Sequence, residues 1–148
     1  MNQLNIHIRD YEPGDSDGLF ELWRITGLDY PERGDDESTI EECSRHGGKL
    51  LVMTDQTSNR VIGSSWMTTD GRRIFMHHFG ILPEFQGVGL GKRLLKESLE
   101  FIKSQGKQVK LEVHKENLAA KYMYESAGFF AFTDYDIYMI RDVDEINI

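Results

Sequence analysis

The chain has one cysteine, three prolines and two tryptophans in 148 residues, and it carries 17 Lys or Arg against 25 Asp or Glu. Each shortage removes a class of protein. A single thiol, Cys43, cannot close an internal disulfide, and a Cys-based zinc centre is excluded with it. Set inside a helical pattern, Cys43 reads as a small packing residue and not as a nucleophile. A formal net charge of −8 leaves no basic stripe for general nucleic-acid binding. No run approaches the roughly 18 apolar residues of a membrane span, and Met1 to His7 has neither a basic nor an apolar leader character. These absences predict a cytoplasmic chain of one domain, residues 1–148, with no metal, no membrane and no nucleic acid among its partners.

What is present alternates between two periodicities. Leu4, Ile6 and Ile8 predict a first strand, and the turn Pro13-Gly14-Asp15 leads to a helix through Leu19, Leu22, Trp23 and Ile25 that Asp15 or Ser16 can cap and Gly27 can end. Residues Leu28 to Glu37 read as a loop with five acidic side chains, before a short helix from Ser38 to Arg45 with Ser38 as a candidate cap. Leu50 to Met53 and Val61 to Met67 predict a hairpin across Gln56 to Arg60, and Ile74 to Leu82 a further strand after Asp70-Gly71. Leu94, Leu95, Leu99 and Ile102 keep helical spacing between Gly89 and Ser104. Val109, Leu111 and Val113 alternate with polar residues as a strand, Leu118 to Ser126 reads as helix, and Phe130 to Thr133 with Ile137 to Arg141 predict a closing hairpin. The order β-α-α-β-β-β-α-β-α-β-β implies an α/β (α+β) fold whose mixed sheet carries helices on both faces.

Charge is unevenly distributed along the chain. Residues 10–46 hold 12 acidic side chains against Arg24, Arg33 and Arg45, whereas residues 92–121 hold eight Lys or Arg against four Glu. One half suits a cation and the other an anion.

The junction Gln86-Gly87-Val88-Gly89-Leu90-Gly91-Lys92 sits between a strand and a helix. The first N–H groups of a helix lack intrahelical acceptors and the helix dipole adds positive charge there, so a phosphate is the natural ligand. Glycine allows the close approach and positive φ that such a loop needs. A Walker loop is excluded, because Gln86 stands where its first glycine belongs and Arg93 follows Lys92 in place of Ser or Thr. A dinucleotide fingerprint is excluded because Lys92 follows where its third glycine belongs.

The spacing Gln-x-x-Gly-x-Gly, preceded by Ile81-Leu82-Pro83-Glu84 and followed by Asn117, Ala120, Tyr124, Gly128 and Phe129 in the pattern Asn-x-x-Ala-x-x-x-Tyr-x-x-x-Gly-Phe, resembles the GCN5-related N-acetyltransferases. The likeness is greatest to small bacterial members similar to the ribosomal-protein N-terminal acetyltransferases. It implies a sheet splayed between the fourth and fifth strands, with acetyl-CoA as co-substrate. Pantetheine would pair with backbone around Phe79 and Ile81, and the pyrophosphate would rest on the amides of Gln86, Gly87, Val88, Gly89, Leu90, Gly91 and Lys92, with Asn117 also in the cofactor site. Lys92, Arg93 and Lys121 would border the phosphates.

The same resemblance implies an amine acceptor, either a small molecule or a peptide, attacked in a ternary complex; a homodimer also stays open, since relatives often pair. Tyr124 matches the family tyrosine that protonates the departing thiolate. An amine of pKa ~10.4 is neutral in only about one molecule in 2,500 at pH 7, so a proton acceptor has much to contribute. Glu112 matches one family base and lies opposite in parity to Val109, Leu111 and Val113. His77 resembles a cleft histidine of the arylalkylamine members. Strand alternation points His77 and His78 to opposite faces, so at most one enters the cleft unless a bulge shifts the parity toward His78. Phe75 replaces the base Glu of histone-type members, which argues against their mechanism. Asp29, Glu32, Asp35, Asp36 and Glu37 would wall the acceptor pocket, which predicts a cationic acceptor; Tyr30 and Trp23 are further candidates for its lining, with core packing the better reading of Trp23. A non-catalytic acyl-CoA-binding module is the alternative reading.

Overall fold

The computed structural model describes residues 5–29 and 34–148. Leu4, Tyr30, Glu32 and Arg33, which carried part of the strand, pocket and charge readings, lie outside the described residues. The chain divides into two compact units, residues 1–112 and 113–148.

The first unit is a five-stranded sheet in the order β1-β2-β3-β4-β5, formed by β1 (Ile6–Asp10), β2 (Lys49–Asp55), β3 (Arg60–Thr69), β4 (Arg73–Ile81) and β5 (Gln108–Lys110). Neighbours from β1 to β4 run antiparallel, while β5 runs parallel to β4. Three helices accompany them: α1 (Ser16–Thr26), α2 (Glu37–Arg45) and α3 (Leu90–Gln105).

Consecutive serines on β3 show how the helices share the two faces. Ser64 Oγ accepts the indole N–H of Trp23 on α1 at 2.9 Å, whereas Ser65 Oγ accepts the hydroxyl of Ser98 on α3 at 2.7 Å. Side chains alternate across a strand, so α1 and α3 cover opposite faces. Trp23 and Trp66 stack at 5.7 Å on the α1 side; Leu94, Leu95 and Ile102 bury the apolar stripe of α3 on the other.

The helix ends follow local chemistry, with two departures from the sequence reading. Asp15 precedes α1 but its carboxylate does not cap it; both oxygens accept from the Arg9 guanidinium at 2.7 and 2.8 Å, and one also accepts the Glu12 N–H. The cap of α2 is Asp36, not Ser38: Asp36 Oδ1 accepts the Thr39 N–H at 2.8 Å, which puts Ser38 inside the first turn.

The second unit holds α4 (Leu118–Ser126), which Asn117 caps by accepting the Ala120 N–H at 3.2 Å. The expected closing hairpin is absent: Phe130 to Thr133 and Ile137 to Arg141 form no strands. Alternating apolar residues suit a strand, but a strand also needs a partner whose N–H and C=O groups complete the ladder. Phe130 and Phe132 instead meet edge to face at 5.4 Å and remain exposed.

Candidate functional site

Two features of β4 set the geometry of the site. The first is where its pairing with β5 stops. The parallel register is Arg73↔Gln108, Ile74↔Val109 and Phe75↔Lys110, and β4 continues to Ile81 beyond the last of these. The expected strand over Val109 to Val113 is therefore shorter, ending at Lys110, and the parting of the fourth and fifth strands begins right after Phe75.

The second feature is a bulge. Between the pairs Ser64↔Gly80 and Trp66↔His77, the single Ser65 of β3 faces two residues of β4, His78 and Phe79. His78 absorbs the extra residue by taking the left-handed conformation, φ 48°. For a residue with a Cβ that conformation is strained by about 1–2 kcal/mol, and it persists because neighbours fix it. Ser64 donates its hydroxyl to the His78 carbonyl at 2.6 Å, while the same oxygen accepts from Trp23.

The bulge overturns the alternation expected for the two histidines. His77 and His78 turn to the same side of the sheet, the side of Trp23 and Trp66, and their Nδ1 atoms lie 2.7 Å apart. His78 Nε2 lies 2.9 Å from Asp35 Oδ2, and His77 Nε2 lies 3.1 Å from Thr68 Oγ1. The side chains of His78 and Asp35 are 6% and 15% exposed, so this ion-pair geometry sits largely out of water. Neither Asp35 as a histidine partner nor Thr68 was legible in the sequence, where one was an acidic loop residue and the other a strand threonine.

Beyond β4, the loop holds Gly87 at φ 81° and Gly89 at φ 89°, with Gly89 as the residue before the first turn of α3. The first intrahelical bond is Arg93 N–H to Gly89 O at 3.2 Å, so the amides of Leu90, Gly91 and Lys92 precede it. Nothing stands within 4 Å of where a Cβ would lie on Gly87 or Gly89, so the glycines are needed for their backbone conformation and leave open space above the amides. The Gln86 side-chain amide donates to the Ile81 carbonyl at 2.7 Å, tying the loop to the end of β4 and occupying part of the backbone expected to meet pantetheine. Val88 and Lys92 are exposed, whereas Leu90 is buried into the core. Arg93 departs from expectation: its guanidinium donates to the Ile6 carbonyl of β1 at 3.1 Å instead of standing free at the loop.

Glu112 is exposed and lies two residues past the end of β5, between the half-buried Leu111 and Val113. In the second unit, Tyr124 is buried and meets Phe129 edge to face at 5.6 Å. Burial pushes its hydroxyl up to about 12, so it holds its proton throughout the neutral range and has one to give there. Asn117 spends its side-chain oxygen on the α4 cap. Asp29, Asp36 and Glu37 are exposed around the half-buried Asp35, and Trp23 is wholly buried, a core residue and not a pocket lining. Among the described residues no group of three or more His, Cys, Asp or Glu could hold a metal ion, and no helix is long and apolar enough to cross a membrane.

The model of the acetyltransferase (GNAT) family matches residues 17–129, a span that runs through both units. A mycothiol acetyltransferase of Thermobispora bispora is 30% identical over 145 residues, covering 86% of this chain and 48% of that protein. A ribosomal protein bS18-alanine N-acetyltransferase of Haemophilus influenzae is 36% identical over 87 residues, 58% of this chain and 59% of that one. The chain thus spans about half the length of the curated relatives it matches. Among solved structures, the acetyltransferase yncA of Salmonella typhimurium, determined with its cofactor acetyl-CoA, superimposes with a TM-score of 0.70 at 22% identity, covering 84% of this chain and 79% of that one. With a glycine-started helix, a sheet that parts at Phe75 and a family match across most of its length, the chain belongs to the acetyltransferase (GNAT) family.

Proposed function

We propose that the protein is an acetyl-CoA-dependent N-acyltransferase acting on a cationic primary amine, of a small molecule or a peptide end, by direct attack. The observation that carries this reading is the loop at Gly87 and Gly89, whose left-handed glycines leave open space beside the first amides of α3. The donor set there is neutral N–H groups at the positive end of a 16-residue helix, chemistry that fits a pyrophosphate. Residues Gln86 to Lys92 would hold the phosphates, and Phe79 and Ile81 would flank the pantetheine. Bound acetyl-CoA supplies an electrophilic carbonyl carbon and a thiolate leaving group.

This chain's own residues manage the protons. Tyr124 supplies one to the thiolate, and Glu112 and His77 are the two candidates for receiving the amine's; the bonded partners of His77 favour it over the exposed Glu112. The acidic segment around Asp35 to Glu37 favours a positively charged acceptor. The Haemophilus relative's alanine N-acetylation supports a peptide amine as one acceptor class. In this reading the two units work as one domain. Calorimetry with acetyl-CoA, followed by thiol release across cationic, neutral and anionic amines, is the test; absence of binding, or turnover confined to neutral and anionic amines, removes it.

A further inference from the structure

We infer that Asp35 anchors a proton relay, Asp35–His78–His77–Thr68, that accepts the proton lost by the acceptor amine. This rests on the acetyl-transfer reading above and adds to it a residue that acts at a distance from the reacting atoms.

The tautomers follow from the acceptor-only nature of a carboxylate. Asp35 can only accept, so His78 Nε2 carries a proton across the 2.9 Å separation. With both rings neutral, His78 Nδ1 is then an acceptor and His77 Nδ1 must be the donor across 2.7 Å. That leaves His77 Nε2 as a lone pair, which accepts the Thr68 hydroxyl at 3.1 Å. These three bonds therefore all point toward Asp35.

Adding one proton reverses the sense of the Thr68–His77 and His77–His78 bonds, and leaves the His78–Asp35 bond as it was, without moving a heavy atom. Thr68 passes its hydroxyl proton to His77 Nε2 while taking one from the amine; His77 releases its Nδ1 proton to His78, which becomes an imidazolium beside the Asp35 carboxylate. The charge thus comes to rest next to its counter-ion, under the indole of Trp23 whose centroid is 4.4 Å away, a face that favours cations. Asp35 is a positioning residue here: it fixes the His78 tautomer and stabilises the charged state, and does not itself need to be protonated.

The surroundings suit this role. Thr68 and Phe75 line a depression of about 310 Å³ beside the last paired residues of β4 and β5, together with Asp70, Arg72, Arg73 and Lys110, whose ammonium lies over the Phe75 ring at 5.3 Å. Of the groups facing the relay, Phe75 packs on His77 at 4.9 Å, Trp66 on both rings, and Trp23 of α1 on His78. From α2, Cys43 senses Asp35: its thiol is pushed up by burial first and by the charges of Asp35 and Glu42 next, so it stays neutral. Asp36 is committed to the α2 cap. Arg72, Arg73 and Lys110 are the cations of that lining, with Asp70 the one carboxylate among them.

The proton balance closes. Attack forms an N–C bond as the C–S bond breaks, and the starting ammonium gives up two protons; one neutralises the thiolate and one leaves through the relay to solvent. Nothing is oxidised or reduced.

The test uses Asp35→Asn, which keeps shape and removes charge, with Asp35→Glu as the conservative partner, on the intact chain. The relay predicts that Asp35→Asn lowers kcat for a strongly basic amine about 10- to 100-fold at pH 7. Acetyl-CoA affinity by calorimetry should stay within about twofold and the ascending, acid-side limb of the rate profile should move to lower pH, with Asp35→Glu recovering most of the rate. The defect should shrink several-fold with a fluorinated, weakly basic analogue of the same acceptor, which arrives already neutral. Thr68→Val should reproduce this pattern and Thr68→Ser restore it, providing a second route if Asp35→Asn fails to fold. A kcat within twofold of wild type in Asp35→Asn, or an equal loss for strongly and weakly basic acceptors, overturns the relay while leaving acetyl transfer standing. A wild-type protein that turns over no amine at all overturns the acetyl-transfer reading, and the relay with it.

Discussion

The indole N–H of Trp23 and the Ser64 hydroxyl meet at 2.9 Å inside the core, and through that oxygen α1 is bonded to the kinked carbonyl of His78 on β4. No buried side-chain nitrogen or oxygen among the described residues lacks a partner, so this junction is fully satisfied and has no slack. Removing the hydroxyl strands two groups at once. Ser64→Ala should lower unfolding free energy by about 2–3 kcal/mol, because the indole N–H and the His78 carbonyl both lose a bond in a dry interior. Urea unfolding should show an earlier midpoint with an unchanged slope, and turnover should drop beyond what the lost folded fraction explains, since the bulge holds both histidines. A midpoint equal to wild type would mean that the bulge does not depend on Ser64.

Gly89 should be intolerant for a reason that Gly106 does not share. Both sit at positive φ, 89° and 64°, at opposite ends of α3, and neither would place a Cβ within 4 Å of another atom. Alanine at either position should therefore cost about 1–2 kcal/mol of stability through the backbone alone. Only Gly89→Ala should weaken acetyl-CoA binding, by about tenfold or 1.4 kcal/mol, because it tilts the amides of the first turn. Calorimetry on the pair separates the two effects; equal affinities would dissociate the loop from phosphate recognition.

Tyr124 offers a titration that needs no turnover. Burial raises its pKa from 10.0 to about 12, so the folded state holds the phenolic proton more tightly than the unfolded chain does. The associated stability is complete below pH 10 and is lost as pH rises from 10 toward 12. In an alkaline ultraviolet titration Tyr124 should be among the late-ionising members of the six tyrosines, and Tyr124→Phe should remove its component. The same variant should lower kcat about 100-fold with little change in acetyl-CoA affinity, the mark of a donor used only in the transition state. Tyr11 also lags, chiefly through burial, which makes the Tyr124→Phe difference spectrum the decisive one.

Local chemistry made much of this legible in advance. The helix over Leu90–Gln105 and its glycine start followed from 3.6-residue periodicity and three spaced glycines, and the hairpin strands from alternation broken by turn residues. The failures have a common physical origin in distance along the chain. The β4 bulge, anticipated through the family resemblance and not through local pattern, is stabilised by Ser64, 14 residues away, and by Trp23, which reaches Ser64 across 41 residues, so no window around His77 and His78 contained the cause. Asp35 reaches His78 across 43 residues. Ser38 and Asp36 are both good caps, and a sequence does not rank them when both precede the same helix. The segments Phe130 to Thr133 and Ile137 to Arg141 had the composition of strands but no ladder to join.

The bond from Arg93 to Ile6 reaches beyond the loop where it begins. Asn5 turns its carbonyl inward to accept the Gln56 N–H, so alternation turns the Ile6 carbonyl outward along the rim of β1, where Arg93 covers it. A bare rim of carbonyls invites foreign chains to zip onto it, and a guanidinium seated there interrupts that template. The side chain that ties the start of α3 to β1 thereby also covers an outward carbonyl of that strand.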